Sequence, residues 1–225
     1  MNTTKIFRVF LLVSLSFSFP LCAETASRAR LKSADNARDA LVKALKAKLD
    51  AGSYRMKLVQ VSNVGMSSTQ EADYVAPDKY RVVAEMSTGN GNSGRQEMIV
   101  VGQQAYSKTP EGKWQRTEID PKKLEFIRLR DQTLIENLSK AQAVEVKFEG
   151  GVRDGLQAFV YEQTVASTPK IVTRGKTTIW VSAADGFQRK MELVADTNFH
   201  GTLMNLKSTT TYYDYNADIR IEAPL

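Results

Sequence analysis

The chain has 225 residues, of which 42% are hydrophobic and 25% charged. This composition is that of one globular domain and argues against a disordered chain, because the apolar content suffices for a core. Single copies of Cys22 and His200 exclude a disulfide framework and argue against a zinc site, which needs about four ligands. The net charge of +6 is a mild basic excess and not the dense cluster of a nucleic-acid binder.

Residues 1–23 are predicted to be a secretory signal peptide. Lys5 and Arg8 precede an uncharged run of about 13 residues, shorter than the roughly 20 that a transmembrane helix needs. Cleavage after Ala23 would leave a single domain of residues 24–225 with a net charge of +4. No later stretch is long and apolar enough to span a bilayer, so we expect a periplasmic protein without a transmembrane span.

A second interpretation of this segment makes Cys22 the acylated residue of a bacterial lipoprotein. A lipoprotein signal requires a small residue directly before the cysteine, and Leu21 is large. Simple cleavage is therefore favoured over lipidation, and the fate of Cys22 is left open.

The mature chain opens with a predicted amphipathic helix over residues 33–49. Its apolar side chains recur at helical spacing and form one stripe, which one lysine joins. Gly52 closes this helix. The stripe contains Ala37, Leu41, Ala44, Leu45 and Lys48, with Ala40 and Leu49 beside it.

From Tyr54 onward the hydrophobic period changes from 3.6 to 2, which is typical of half-buried strands. Turn signals such as Pro77-Asp78 and a Pro-Glu-Gly-Lys run separate the strands, which indicates a series of antiparallel hairpins. The predicted strands of this first half cover residues 54–59, 67–76, 79–86, 95–101, 105–109 and 114–118.

A second helical region is predicted over residues 120–141, with an apolar side too wide to stay exposed. Five more strands follow, over residues 143–149, 156–166, 176–183, 187–195 and 202–215. The order shows no alternation of strands and helices, no internal repeat and no linker. It predicts an α+β, mostly β, fold: one large, strongly curved antiparallel sheet with two helices packed on one face.

Three motifs suggest chemistry, and each has a simpler explanation that we favour. The glycine-rich run over residues 89–94 matches a dinucleotide fingerprint, but the residues after it read as a strand instead of the required helix. His200 lies in a turn without a partnering nucleophile. The basic residues of the first six strands alternate with apolar ones and fit a solvated sheet face: Arg55, Lys57, Lys79, Arg81, Arg95, Lys108 and Lys113. We therefore expect no enzyme activity, no nucleic-acid binding, no metal and no cofactor.

The opposite, apolar sheet face is rich in methionine, a residue that fills irregular volumes and adapts to variable ligands. Two helices cannot cover a broad sheet densely. Either a cavity for an apolar ligand lies between sheet and helices, or the core is filled, and the pattern alone leaves both open. The side chains assigned to this face include Met56, Met86, Met98, Met191, Met204, Phe126 and Trp180.

The order of elements and several sequence runs resemble the LolA-like superfamily of periplasmic lipoprotein carriers and their lipid-binding relatives of the LppX/LprG type. The runs are Gly52-Ser-Tyr-Arg-Met-Lys-Leu, Tyr74-Val-Ala-Pro-Asp-Lys-Tyr, Met98-Ile-Val-Val-Gly-Gln-Gln-Ala-Tyr, Gly112-Lys-Trp and Tyr212-Tyr-Asp-Tyr-Asn. The likeness covers roughly residues 33–224. No residue can be equated with the gating arginine of the dedicated carrier.

The resemblance implies a half-open β-barrel of eleven strands with helices as a lid in its concave face. It implies binding of the acyl chains of a lipid or lipoprotein for transport across the periplasm, with a membrane-bound donor or acceptor protein as a further partner. The alternative is an envelope sensor or protein-interaction module of the same fold with a filled core. The side chains expected to bind lipid are Tyr54, Met56, Leu58, Tyr80, Val82, Met86, Met98, Phe126, Ile127, Leu134, Trp180, Met191, Leu193, Met204 and Leu206.

Overall fold

The computed structural model describes one antiparallel sheet of eleven strands and an N-terminal helix. It describes residues 36–87, 91–109, 111–118, 135–136, 138, 146–168, 171–199 and 202–224. Helix α1 covers residues 36–50. The strands are β1 (Ser53–Ser62), β2 (Ser67–Val75), β3 (Lys79–Ser87), β4 (Ser93–Val101), β5 (Gln104–Lys108), β6 (Trp114–Glu118), β7 (Lys147–Arg153), β8 (Leu156–Thr168), β9 (Ile171–Ser182), β10 (Gln188–Phe199) and β11 (Thr202–Tyr213).

The strand order is β6-β5-β4-β3-β2-β1-β11-β10-β9-β8-β7. Two meanders, β1–β6 and β7–β11, are thus joined in the middle of the sheet by pairing of β1 with β11. The prediction of a mostly β protein with one large antiparallel sheet is confirmed. Every predicted strand has a counterpart, because alternating side chains fit the two faces of a pleated strand.

The predicted strong curvature is wrong, because the sheet is neither closed nor strongly curled. Bulges and register shifts are the devices that bend a sheet. The ladders from β11 through β1 to β6 run in unbroken register. Irregularities occur in the other half, at the pairs of β7 with β8, β8 with β9 and β9 with β10.

Helix α1 packs against the half of the sheet that β8 and β9 form. The residues of its predicted stripe are all buried, including Lys48. Its apolar members contact Phe159 and Tyr161 on β8 and Ile179 and Val181 on β9. The stripe prediction is confirmed, and this cluster is the main hydrophobic core of the described residues.

The second predicted helical region lies mostly outside the described residues. Ile135, Glu136 and Leu138 are helical, and Ile135 and Leu138 are buried in the same cluster as α1. Phe126, Ile127 and Leu134 fall outside the described residues, as do Cys22 and the whole predicted signal peptide. No helix in the described ranges is long and apolar enough to cross a membrane.

Some predicted boundaries are wrong by several residues. Strand β9 begins at Ile171 and β10 continues to Phe199, so this hairpin is longer than predicted. Gly150 and Gly151 lie within β7 beside a register irregularity, and the chain turns at Asp154-Gly155. The glycine-rich run leads into β4 at Ser93 and not into a helix, as the hairpin interpretation requires.

Candidate binding surface

The strand registers assign every sheet residue to one of two faces, because directly paired residues of antiparallel strands share a face. The inner face is the one that carries Tyr54 and packs on α1, and the outer face is its opposite. Of the predicted lipid-binding residues, the inner face carries Tyr54, Met56, Leu58, Tyr80, Val82, Met86, Met98, Met191, Leu193, Met204 and Leu206.

Trp180 does not join this group. It pairs with Lys190 and follows Ile179, which points inward, so Trp180 lies on the outer face. There the ammonium of Lys190 lies 4.7 Å from the centroid of the indole ring. Its assignment to the apolar inner face is corrected accordingly.

One end of the inner face is filled by aromatic side chains. The ring centroids of Tyr54 and Tyr74 are 4.9 Å apart, and those of Tyr74 and Tyr80 are 5.0 Å apart. Tyr215 stacks on Phe187 at 4.3 Å and also contacts Tyr54. Met56, Met98 and Met191 pack against this cluster. The structure therefore places Tyr54 and Tyr80 inside a packed core, where they line no open space.

A contact with an aromatic ring explains why Lys48 belongs to the buried stripe of α1. Only 2% of the residue is exposed, and its ammonium lies 4.4 Å from the ring centroid of Tyr212 on β11. A cation over an aromatic face is stabilised by the ring quadrupole. This contact links α1 to the centre of the sheet, where the two meanders meet.

Beyond the aromatic cluster the inner face becomes polar on β1 to β4. One register row consists of Leu58, Gln70, Ala84 and Gln96, and the next of Gln60, Ser68, Met86 and Gly94. Met86 is 52% exposed, and Gln96 is also exposed. We call these eight residues the distal inner surface.

The three glutamines are the residues that the sequence interpretation missed. Gln60, Gln70 and Gln96 continue the alternation of Met56, Tyr74 and Met98 along their strands. The period of the strands therefore already assigned them to the inner face. An interpretation that counted only apolar side chains passed over them.

A cleft of about 390 Å³ adjoins the distal inner surface at the ends of β2, β3 and β4. Ser68, Met86 and Gly94 of its lining belong to the distal inner surface, whereas the Glu85–Arg95 ion pair belongs to the outer face, and Met86 is the one large apolar side chain among them. Its other lining residues are Ser67, Thr69, Ser87 and Ser93.

The outer face carries most of the predicted basic residues in ion pairs, as a solvated face should. Arg55 pairs with Asp73 and Asp214, and Lys57 pairs with Glu71. The hydrogen bond to Asp214 raises the pKa of Arg55 despite partial burial. The hydrogen bond to Glu71 likewise raises the pKa of Lys57.

Glu97 is the best-connected carboxylate of this face. Its side chain is 12% exposed and accepts hydrogen bonds from Arg81 at 3.1 Å and Lys108 at 3.3 Å. Burial raises the pKa of Glu97, but the two cations outweigh burial, and the pKa lies below its ordinary value. Both cations are thus engaged by one carboxylate of the same face.

No family model and no curated protein matches the chain. Among solved structures, a chain of the Pseudomonas aeruginosa MucA/MucB complex is similar at 14% identity and a TM-score of 0.37, over 81% of this chain and 59% of that chain. The S-type phycobiliprotein lyase CPES of Guillardia theta is similar at 10% identity and a TM-score of 0.26, over 73% of this chain and 88% of that one. This chain therefore spans less than two thirds of the MucA/MucB relative, and membership of the LolA-like superfamily stays a prediction.

Proposed function

We propose that this protein is an exported, non-enzymatic binding module that docks a protein partner on its distal inner surface. The observation that supports this function is the division of the inner face. The end that carries Tyr54 is filled by packed tyrosine side chains. The distal inner surface presents amides and hydroxyls around Leu58 and Met86. The envelope interaction module is therefore favoured over the acyl carrier.

A protein partner matches this surface better than an acyl chain does. Each glutamine amide offers donors and an acceptor that need hydrogen-bonding partners once water is removed. A polypeptide supplies such partners along its main chain, and a hydrocarbon supplies none. Exposed methionine is typical of the apolar centre of protein interfaces.

Acyl binding is the second candidate, and three methionines favour it. Met56, Met98 and Met191 lie on the inner face at the margin of the aromatic cluster and are partly buried. Side chains of this type can rearrange around a guest. Native mass spectrometry of the exported protein distinguishes the two functions, since a carrier retains lipid and an interaction module emerges without it.

Site-specific photocrosslinking tests the protein-docking function. A crosslinking residue is placed at Met86 or Gln96 on the distal inner surface, and at Thr209 on the outer face as the matched control. The expected result is one adduct of the same mass from both inner positions and none from Thr209. Met86→Asp should abolish the adduct formed from position 96. Adducts of unrelated masses, or equal labelling from the outer face, would refute the proposal.

A further inference from the structure

The last residues of the chain leave the sheet and cross to its outer face. A hydrogen-bonded anchor holds the crossing: the Asn216 amide donates to the Ser53 carbonyl at 2.9 Å, and the Gly52 amide donates to Asn216 Oδ1 at 2.9 Å. Ser53 Oγ donates to the Ala217 carbonyl at 2.6 Å. Residues 214–217 are therefore fixed to the start of β1.

Past this anchor, residues 218–224 lie as a strap on the outer face. Ile219 and Ile221 are 8% and 4% exposed, and they pack on Ile99 of β4 and Tyr106 of β5. The side chains of Asp218 and Arg220 point to solvent, at 85% and 81% exposure. We call the surface beneath the strap the outer groove; it consists of Val75, Ile99, Val101, Tyr106 and Trp114.

The strap is held almost entirely by side chains. The Ile219 amide bonds to the Ala217 carbonyl at 2.9 Å. Beyond it, none of the described residues forms a main-chain hydrogen bond with residues 220–224. A segment bound by alternate side chains alone can leave without breaking a strand ladder.

We propose that the outer groove is a docking site for an extended segment of a partner protein with β-branched apolar residues at positions i and i+2. The chain's own strap occupies this site and shows the form of the ligand, an Ile-x-Ile run with charged residues between and beside the isoleucines. This inference goes beyond the proposed function, because the groove lies on the face opposite the distal inner surface.

The anchor and the rim define the partner further. Since residues 214–217 stay tied to β1, each strap remains close to its own groove, which favours a different protein over exchange with a second copy. Exposed Arg116 pairs in register with Tyr106, and Lys108, which also forms an ion pair with Glu97, lies 5.5 Å from the Trp114 ring. This basic rim favours acidic residues flanking the apolar pair, as Asp218 and Glu222 flank it in the strap.

A labelled peptide tests the groove in the full-length protein. Its sequence is that of residues 218–225, and it is titrated by fluorescence anisotropy into the wild type and into the double variant Ile219→Ser with Ile221→Ser. The tether gives the wild-type strap an effective concentration of roughly millimolar, so the double variant should bind the peptide about 10²-fold or more tightly than the wild type does. The same peptide with both isoleucines replaced by serine is the control and should not bind.

Three results would overturn the inference: no binding to the folded double variant, equal affinity for the wild type, or equal affinity of the serine peptide. Circular dichroism checks folding, and the single variant Ile221→Ser should bind with intermediate affinity. Hydrogen exchange of the wild type gives a second measurement, in which residues 220–223 should exchange well before β4, and equal protection would also refute the idea. Crosslinking from position 86 is measured in the same double variant and should be unchanged. Docking on the distal inner surface and docking in the outer groove can therefore be refuted independently.

Discussion

The packing of α1 predicts how strongly one leucine stabilises the fold. Leu41 is fully buried between α1 and the sheet, together with Leu45 and Phe159. Truncation of a fully buried leucine to alanine costs about 2–5 kcal/mol, because transfer energy is lost and a cavity remains. Leu41→Ala should therefore lower the free energy of unfolding by about 3 kcal/mol, which corresponds to roughly 6–12 °C in Tm for a domain of this size.

Urea denaturation followed by far-ultraviolet circular dichroism measures this change at equilibrium. The midpoint should fall while the slope with denaturant stays constant, because the area exposed on unfolding hardly changes. Lys46→Ala, on the exposed side of the same helix, is the matched control and should shift stability by less than about 0.5 kcal/mol. A cost below about 1 kcal/mol for Leu41→Ala would show that α1 rests loosely on the sheet as a movable lid and that the core beneath it is not filled.

Three further substitutions test other contacts by the same denaturation assay. Glu97→Gln should lower the free energy of unfolding by about 1 kcal/mol at pH 7. Because the pKa of Glu97 is lowered in the folded protein, only the ionised carboxylate stabilises it, and the difference between wild type and variant should vanish as the pH falls below 4.5. A difference that persists at low pH would contradict this. Tyr215→Phe removes the hydrogen bond that Tyr215 Oη donates to the Gln188 carbonyl at 2.7 Å and should cost about 1 kcal/mol. Gly175→Val should cost about 1–3 kcal/mol, since even a Cβ there would lie 3.0 Å from Leu193 Cδ1; a neutral effect would show that Leu193 moves aside.

Many of the strands were predictable because their hydrophobic residues recur with a period of two. Tyr54, Met56 and Leu58 alternate with charged residues, and this pattern alone assigns them to the buried face. The stripe of α1 was predictable for the same reason. The hydrophobic period of a strand or helix depends only on its own residues, so it can be recognised without knowing how the rest of the chain folds.

Trp180 shows where local information ends. It lies in a run of Thr178, Ile179, Trp180 and Val181 with no alternation, so the sequence does not say which of its side chains point inward. The choice depends on the pairing of β9 with β10, whose register shifts between Gln188 and Lys190. A shift of one residue exchanges the two faces of a strand, and no single strand encodes it.

The aromatic cluster that fills one end of the inner face could not be predicted either, because its residues come from distant parts of the chain. Tyr54 and Tyr74 belong to the first hairpin, whereas Tyr212 and Tyr215 arrive from the end of the chain through the pairing of β1 with β11. The composition predicts enough apolar volume for a core. Only the strand order shows that five tyrosines, Tyr80 among them, meet at one end and leave the glutamines at the other.

The distal glutamines favour a protein partner over an acyl chain on energetic grounds. An amide deprived of its hydrogen bonds costs about 1–3 kcal/mol, so three amides buried under hydrocarbon would cost about 3–9 kcal/mol. A buried methylene contributes about 0.8 kcal/mol, and roughly four to eleven methylenes would be needed merely to offset that cost. An acyl chain laid along β1 to β4 would thus lose most of its gain, whereas a polypeptide would satisfy the same amides with its main chain. The change from tyrosine to glutamine along one sheet face is therefore the physical reason to expect a protein partner there.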